Sequence, residues 1–319
     1  MSSAMVLTVT LNPMLDKTVY IDTLRRGAVH RSPRLEMVVG GKGINVARQL
    51  KRLGADVMAA GFFGGEIGMI LDRLLTDEAL PHSFVSVQSM TREGVTYREP
   101  DNSWTAVFEP PHHVTALESE ELVHRCMAFL DHASWVVCSG SSPCGETDGL
   151  YGRIMREAKA KGRESYIDSY GPAFRFALQE RPTVVQCNKT EFAASWSTDV
   201  SSDSDVRRAL VELMACGARY AILTNGPHTM YAADGNSIWK VTPPTVKTVN
   251  STGSGDSLAA GILWQLTGGA AFEDGLRIGA AAGAANAMTW EVANSPPGVI
   301  RELAASVQID RVPFHTSSL

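Results

Sequence analysis

The sequence predicts an α/β protein. The expected fold has three layers, α/β/α, on a mainly parallel central sheet, with a small antiparallel sheet set apart from it. Three observations predict it. From Glu118 onward, short apolar runs alternate with helix-period segments, the pattern of a parallel sheet covered on both faces. Glycine clusters open a helix in two places, at Gly40–Gly43 and at Gly253–Gly255. Two stretches, about 17–39 and 84–109, read as extended chain with turns and lie outside the alternation. With no linker or internal repeat in view, residues 1–319 are expected to form a single domain carrying that small sheet as an insertion.

Val6 to Leu11 is a β-branched, apolar run and reads as a buried first strand, ending at Asn12-Pro13-Met14-Leu15-Asp16. Residues 18–39 alternate weakly and read as two short strands with a turn near Arg25-Arg26-Gly27. Val46, Ala47, Leu50 and Leu53 then form one helical face, and Gly54 is a good stop. Val57 to Phe63 reads as a strand and Glu66 to Leu75 as a helix. Past the extended 84–109 segment, helices are expected near 119–131, 147–161, 172–179 and 205–216. They lead to strands at 135–138, 165–167, 183–186 and 220–224. Two short strands near 229–233 and 237–241 follow, and Val246 to Val249 reads as a strand end. Leu258 to Leu266 reads as a buried helix, and the Ala- and Gly-rich run from Gly275 to Trp290 as a tightly packed one.

Composition narrows the function. The chain is 44% hydrophobic and 20% charged, enough apolar material for a substantial core. Its net charge of −5 carries no concentrated basic face of the kind nucleic acid requires. No apolar run reaches membrane-spanning length, and the first one, broken at Asn12-Pro13 without a basic start, is not a signal peptide. The five cysteines form no CxxC pair and read as free thiols of a reducing, cytoplasmic setting. His112 and His113 are adjacent, so on extended chain they point to opposite faces and make a poor zinc site.

Chemistry concentrates at Asn250-Ser251-Thr252-Gly253-Ser254-Gly255-Asp256-Ser257. Glycines allow a tight turn and the close approach of a ligand. The first helix amides then present positive partial charge, which suits a phosphate. Asp256 stands at that mouth, where a carboxylate accepts a proton from an attacking hydroxyl; equally, an Asp at a helix start serves as a cap. Gly40-Gly41-Lys42-Gly43-Ile44-Asn45 repeats the theme with a lysine inside, either as a second anion or hydroxyl site or as a tight strand-to-helix turn. It is not a Walker A loop, because Gly43 follows the lysine where Ser or Thr is needed. Asp16, just past the first strand, lies where open α/β sheets bind ligands, and also fits a turn.

Taken together, Gly40-Gly41-Lys42-Gly43-Ile44-Asn45-Val46-Ala47 and Ser251-Thr252-Gly253-Ser254-Gly255-Asp256-Ser257 resemble the two signatures of the PfkB (ribokinase-like) carbohydrate kinases. Leu11-Asn12-Pro13 with Asp16, and Ser139-Gly140-Ser141 with Pro143, extend the resemblance over nearly the whole chain. Lys42 and the Leu11-Asn12-Pro13 start are similar to the hexose-phosphate branch, which includes 1-phosphofructokinase and tagatose-6-phosphate kinase.

The resemblance implies an ATP-dependent sugar-phosphate kinase, most simply a 1-phosphofructokinase. Asp256 would be the base, with Gly253, Ser254 and Gly255 stabilising the transferring phosphate. It implies Asp16, Gly40, Gly41 and Asn45 at the sugar, and Lys42 and Arg92 at the phosphate already on it. Asn188, Thr224, Gly226 and Asn286, with Gly253 and Gly255, would meet the nucleotide. Asn188 and Glu191 of Asn188-Lys189-Thr190-Glu191 would assist Mg²⁺. The small sheet would be a lid, and a pairing surface for a homodimer. The sequence departs from its relatives at Gln186-Cys187, where Lys-Pro is usual, and after Gly226, where Thr229 takes a glycine's place; both bear on the nucleotide. A kinase of an uncharged sugar or nucleoside, which Lys42 argues against, and a weakened sugar-phosphate sensor, which Asp256 argues against, are the competing readings.

Overall fold

The structure, a computed structural model, describes residues 5–314. Strands and helices are numbered in chain order. Strand β1 (Met5–Thr10) lies inside a ten-stranded sheet, between β4 (Val57–Gly64) and β8 (Ala133–Ser139), parallel to both. Outside β4 the sheet ends at β5 (His82–Val87). Outside β8 run β9 (Glu164–Asp168), β10 (Val184–Asn188) and β11 (Tyr220–Thr224), all parallel. Three antiparallel strands complete that side: β12 (Met230–Ala233), β13 (Ser237–Thr242) and β14 (Gln308–Pro313).

Each inner strand is buried on both faces, so successive residues feed different cores. Leu7 and Val9 pack on one side with α3 (Ala116–Leu130), α4 (Leu150–Ala160), α5 (Gly171–Leu178) and α7 (Asp203–Ala215). Val6 packs on the other side with α1 (Lys42–Arg52), α2 (Gly65–Asp77), α8 (Ser254–Thr267), α9 (Phe272–Ala287) and α10 (Pro297–Ala304). The Ala- and Gly-rich α9 lies against α8, which explains its composition: small side chains let two helices approach closely.

The small sheet is four-stranded: β3 (Arg34–Gly40), β2 (Met14–Tyr20), β6 (Glu93–Arg98) and β7 (Trp104–Phe108), in that order. Its two antiparallel pairs, β2–β3 and β6–β7, are joined by one parallel pair, β2–β6. It docks on the body where the Arg98 guanidinium sits 4.0 Å from the Trp290 ring centroid and the Trp290 indole N–H donates to Thr18 Oγ1 at 3.3 Å.

Three sequence expectations need correcting. Residues 84–87 belong not to the small sheet but to β5, whose backbone pairs with β4. Val246 to Val249 forms no strand: Val249 and Asn250 donate their amides to Ala287 O at the end of α9. The short helix α6 (Lys189–Trp196), with α10 and β14, was not foreseen. The other predicted elements are present, with ends displaced by a few residues.

Candidate active site

The motifs converge at the carboxyl ends of β1, β8, β9 and β10 and at the amino ends of α1 and α8, the edge at which parallel sheets bind ligands. Gly253 caps α8 with φ 79°, and a Cβ there would lie 2.3 Å from Val292 Cγ1, so both conformation and space require glycine. Asn286 braces this turn. Its Nδ2 donates to Thr252 O (2.8 Å) and Ser254 Oγ (3.1 Å), and its Oδ1 accepts from Ala293 N (2.7 Å). Asn286 is buried and its side-chain polar atoms are engaged within the protein, so it shapes this turn; the sequence expects it at the nucleotide. Ser254 contributes its hydroxyl to the same brace.

Asp256, in the first turn of α8, is 4% exposed. Asn45 Nδ2 donates to its Oδ2 at 2.8 Å. Arg48 Nη1 donates to Asn45 Oδ1 (2.9 Å), which turns the Asn45 amide toward the carboxylate. Arg48 Nη2 also donates to Val39 O in β3 (3.0 Å), linking the small sheet to the same chain of contacts. Burial pushes the Asp256 carboxyl up to about 7; Lys42 and Asn45 pull it down, Asp168 and Glu191 push it further up. A base acts only when ionised, so kcat/KM is expected to rise with pH through an acid limb near 7. A pH–rate profile that stays flat across that region would remove Asp256 from the role.

Lys42 Nζ donates to Asp168 Oδ1 and to Glu191 Oε1, each at 3.1 Å, and lies 5.8 Å from the Tyr170 ring centroid. Burial opposes its charge, but Asp168, Glu191 and Asp256 together hold it well above the ordinary lysine range. An ammonium has three donors. Two are engaged here, and the side chain keeps 30% exposure, leaving one N–H for an incoming anion.

Asp16, Gly40 and Arg92 form a second group on the small sheet. A Cβ on Gly40 would meet Asp16 Oδ2 at 2.5 Å, so glycine at 40 makes room for this carboxylate. Burial raises Asp16 to about 6, against Arg92 and Arg48. Arg92 Nη2 donates to Asn12 O (3.3 Å), and Asn12 Nδ2 to Ser141 Oγ (3.1 Å), which joins the start of the chain to the Ser139-Gly140-Ser141 loop. Gly41 precedes α1 with φ 143° and carries no side chain into this space.

Where β10 meets α6, Asn188 and Glu191 form the capping box of that helix. Asn188 Oδ1 accepts from Glu191 N (2.7 Å), and Asn188 N donates to Glu191 Oε2 (3.0 Å). Thr224 ends β11 in register with Asn188, and Gly226 follows it.

Sequence reasoning missed Asp168. It is 2% exposed at the carboxyl end of β9 and central to the charge network. Its position past a predicted strand was the available signal, the one that singled out Asp16. Arg48 and Tyr166 gave no signal, because their roles rest on contacts distant in sequence.

Fold and site together define an α/β protein with a glycine-built helix terminus beside a buried carboxylate at the ligand-binding edge of its sheet. The chain belongs to the pfkB family of carbohydrate kinases, which it matches over residues 9–297. It is 29% identical to a tagatose-6-phosphate kinase of Staphylococcus epidermidis, over 97% of this chain and 100% of that one. Phosphofructokinase-2 from Escherichia coli, solved with potassium, superimposes with a TM-score of 0.88 at 27% identity over 95% of this chain and 99% of that one. A Thermotoga maritima structure named as a possible 1-phosphofructokinase gives 0.86 at 26% identity, over 97% and 99%. The ribokinase-like arrangement implied by the sequence, a large mostly parallel sheet with a separate small one, is therefore present.

Proposed function

We propose that this protein is an ATP-dependent kinase of a ketohexose phosphate, converting fructose 1-phosphate to fructose 1,6-bisphosphate. The observation that carries the reading is Asp256: a buried carboxylate, oriented by Asn45, beside the glycine-built terminus of α8 and within the field of Lys42. In this reading Asp256 takes the proton of the sugar hydroxyl as that oxygen bonds to the γ-phosphorus and the bond to the β-phosphate oxygen breaks, releasing ADP. The Gly255 and Asp256 amides, in the first turn of α8 where no intrahelical acceptor exists, carry the charge of the transferring group. Asp16, Gly40, Gly41 and Asn45 hold sugar hydroxyls. Arg92 and the third N–H of Lys42 hold the phosphate already present.

The residues fit Mg²⁺ as an ion brought in on nucleotide phosphates. Asp168 and Glu191 are oxygen donors, but both are bonded to Lys42, whose single charge offsets one of their two. Among the described residues no group of three or more His, Cys, Asp or Glu forms a cage. When bound, the ion would offset phosphate charge, with Glu191 and Asn188 the nearest side chains to its waters.

The small sheet serves as the lid. Leu35, Met37 and Val107 are exposed on one face of it and Val38, Trp104 and Phe108 on the other, apolar surface that supports pairing of two copies into a homodimer. Among the described residues no helix is long and apolar enough to cross a membrane, in keeping with a cytoplasmic enzyme.

A second reading, tagatose 6-phosphate as acceptor, is favoured by the name of the S. epidermidis relative. Phosphate transfer from ATP to fructose 1-phosphate, tagatose 6-phosphate, fructose 6-phosphate and free sugars decides between them. Fructose 1-phosphate is expected to give the highest kcat/KM. Preference for a free sugar would overturn the sugar-phosphate reading, and binding without turnover would make the protein a sensor.

A further inference from the structure

Tyr166, Asp168 and Gln186 lie on one face of β9 and β10, the face toward α1 and α8, with Gln186 in register with Asp168. All three are buried: Tyr166 is 0% exposed, Asp168 2% and Gln186 2%. The Tyr166 hydroxyl donates to Gln186 Oε1 at 2.6 Å. Gln186 Nε2 donates to Asp168 Oδ2 (3.3 Å) and to Gly255 O (3.2 Å).

This orientation of the amide follows from its partners. A carboxylate and a backbone carbonyl are acceptors only, so they require the NH₂ end; the phenol, which can donate, matches the oxygen end. The network joins two parts of the active site. Gly255 belongs to the first turn of α8, next to Asp256, and Asp168 gives its other oxygen to Lys42.

We propose that Tyr166 and Gln186 form a positioning pair for phosphoryl transfer: a neutral strut, locked by the tyrosine hydroxyl, that holds the first turn of α8 against Asp168. Neither residue touches substrate. Gln186 fixes the Gly255 peptide plane, and with it the neighbouring amides that face the phosphate. Its second N–H bond supports Asp168 as an ionised partner for Lys42, despite that residue's burial. Sequence comparison makes position 186 look like a lost cation; the geometry gives it a structural task in which every polar atom of the side chain is already used. A lysine there would bring a second ammonium into the Asp168–Lys42 pair.

The inference rests on the kinase reading for its catalytic consequence, and two readouts separate them. Tyr166→Phe removes one oxygen without opening a cavity. Its kcat is expected to fall about tenfold, equivalent to about 1.4 kcal/mol, with KM for the sugar phosphate changed less than about twofold, since a positioning contact acts on the transition state. In a Gln186→Leu background the same substitution should change kcat by less than about twofold, because contacting residues that act as one unit are not additive. Amide hydrogen exchange of the segment 252–258 in the free protein should be at least about fivefold faster in each single variant, reporting local opening.

Unchanged exchange in Tyr166→Phe, an unchanged kcat, or fully additive effects in the double variant would overturn the strut. If the parent transfers phosphate to none of the sugar phosphates, the kinase reading fails, and the exchange measurement alone decides whether the pair holds the turn.

Discussion

Asp256→Asn is expected to keep the fold and substrate binding while lowering kcat by about 10²–10⁴-fold, the usual worth of general-base catalysis. Asparagine has nearly the same shape and can still accept from Asn45 Nδ2. What it cannot do is take the proton from the sugar hydroxyl. Stability should move in the opposite direction to activity. The Asp256 carboxyl is raised in the folded protein from 3.8 to about 7, so the fold favours its neutral form. The stability this contributes is fully present below the unfolded value and is lost as pH rises through 7. Above that point the ionised Asp256 is a burden that asparagine does not carry, and Tm of the variant at pH 8 should equal or exceed that of the parent. Steady-state kinetics and thermal melts check both halves. Turnover within about threefold of the parent, far below the range of base catalysis, would make Asp256 only a cap of α8.

Lys42→Ala is expected to affect substrate use, pH dependence and stability together. Lys42 bridges Asp168 and Glu191, offsetting one of their two negative charges, and keeps one donor free. Removing one partner of a buried, hydrogen-bonded charge pair costs about 2–5 kcal/mol; the 30% exposure of the lysine side chain places this case toward the lower end. KM for the sugar phosphate should rise at least about tenfold, since about 1.4 kcal/mol is a factor of ten. Any activity on the free sugar should be spared, because no anion there loses its partner. The acid limb should also move above 7, because Lys42 is the nearby charge that pulls the Asp256 carboxyl down. Tm should drop, since Asp168 is left buried without its cation. Kinetics on phosphorylated and free sugar, with a pH profile and a melt, test each part. An unchanged ratio of the two activities would end the assignment of Lys42 to the sugar's phosphate and leave it as the partner of Asp168 and Glu191 alone.

Much of the architecture was legible because its determinants are local. The alternation from Glu118 onward, the glycine-opened helices at Lys42 and Ser254, and the β-branched runs at Val6 and Val57 each encode one element within a few residues. Where local signals fail, the reason is specific. Residues 82–87 have the period of a strand, but period says nothing about which sheet a strand joins; hydrogen bonds to β4 decide that. Val246 to Val249 has strand composition but no strand beside it, so its amides turn to α9 instead. Asn188-Lys189-Thr190-Glu191 is readable as a ligand motif, while the fold also makes it the capping box that presents Glu191 to Lys42.

By itself the sequence determined the kind of chemistry, because a glycine-rich turn before a helix creates a phosphate site from backbone alone. It determined the candidate base by the place of Asp256 in that turn. Only the tertiary structure decided what those groups become. Asn45 reaches Asp256 across 211 positions of sequence, and Lys42 reaches Asp168 across 126 and Glu191 across 149. The carboxyl near neutrality, the lysine shared between two acids and the Tyr166–Gln186 strut all come from burial and from these distant partners. Proton affinity depends on the low dielectric around a group and on the charges facing it, and both are set by how the chain closes on itself.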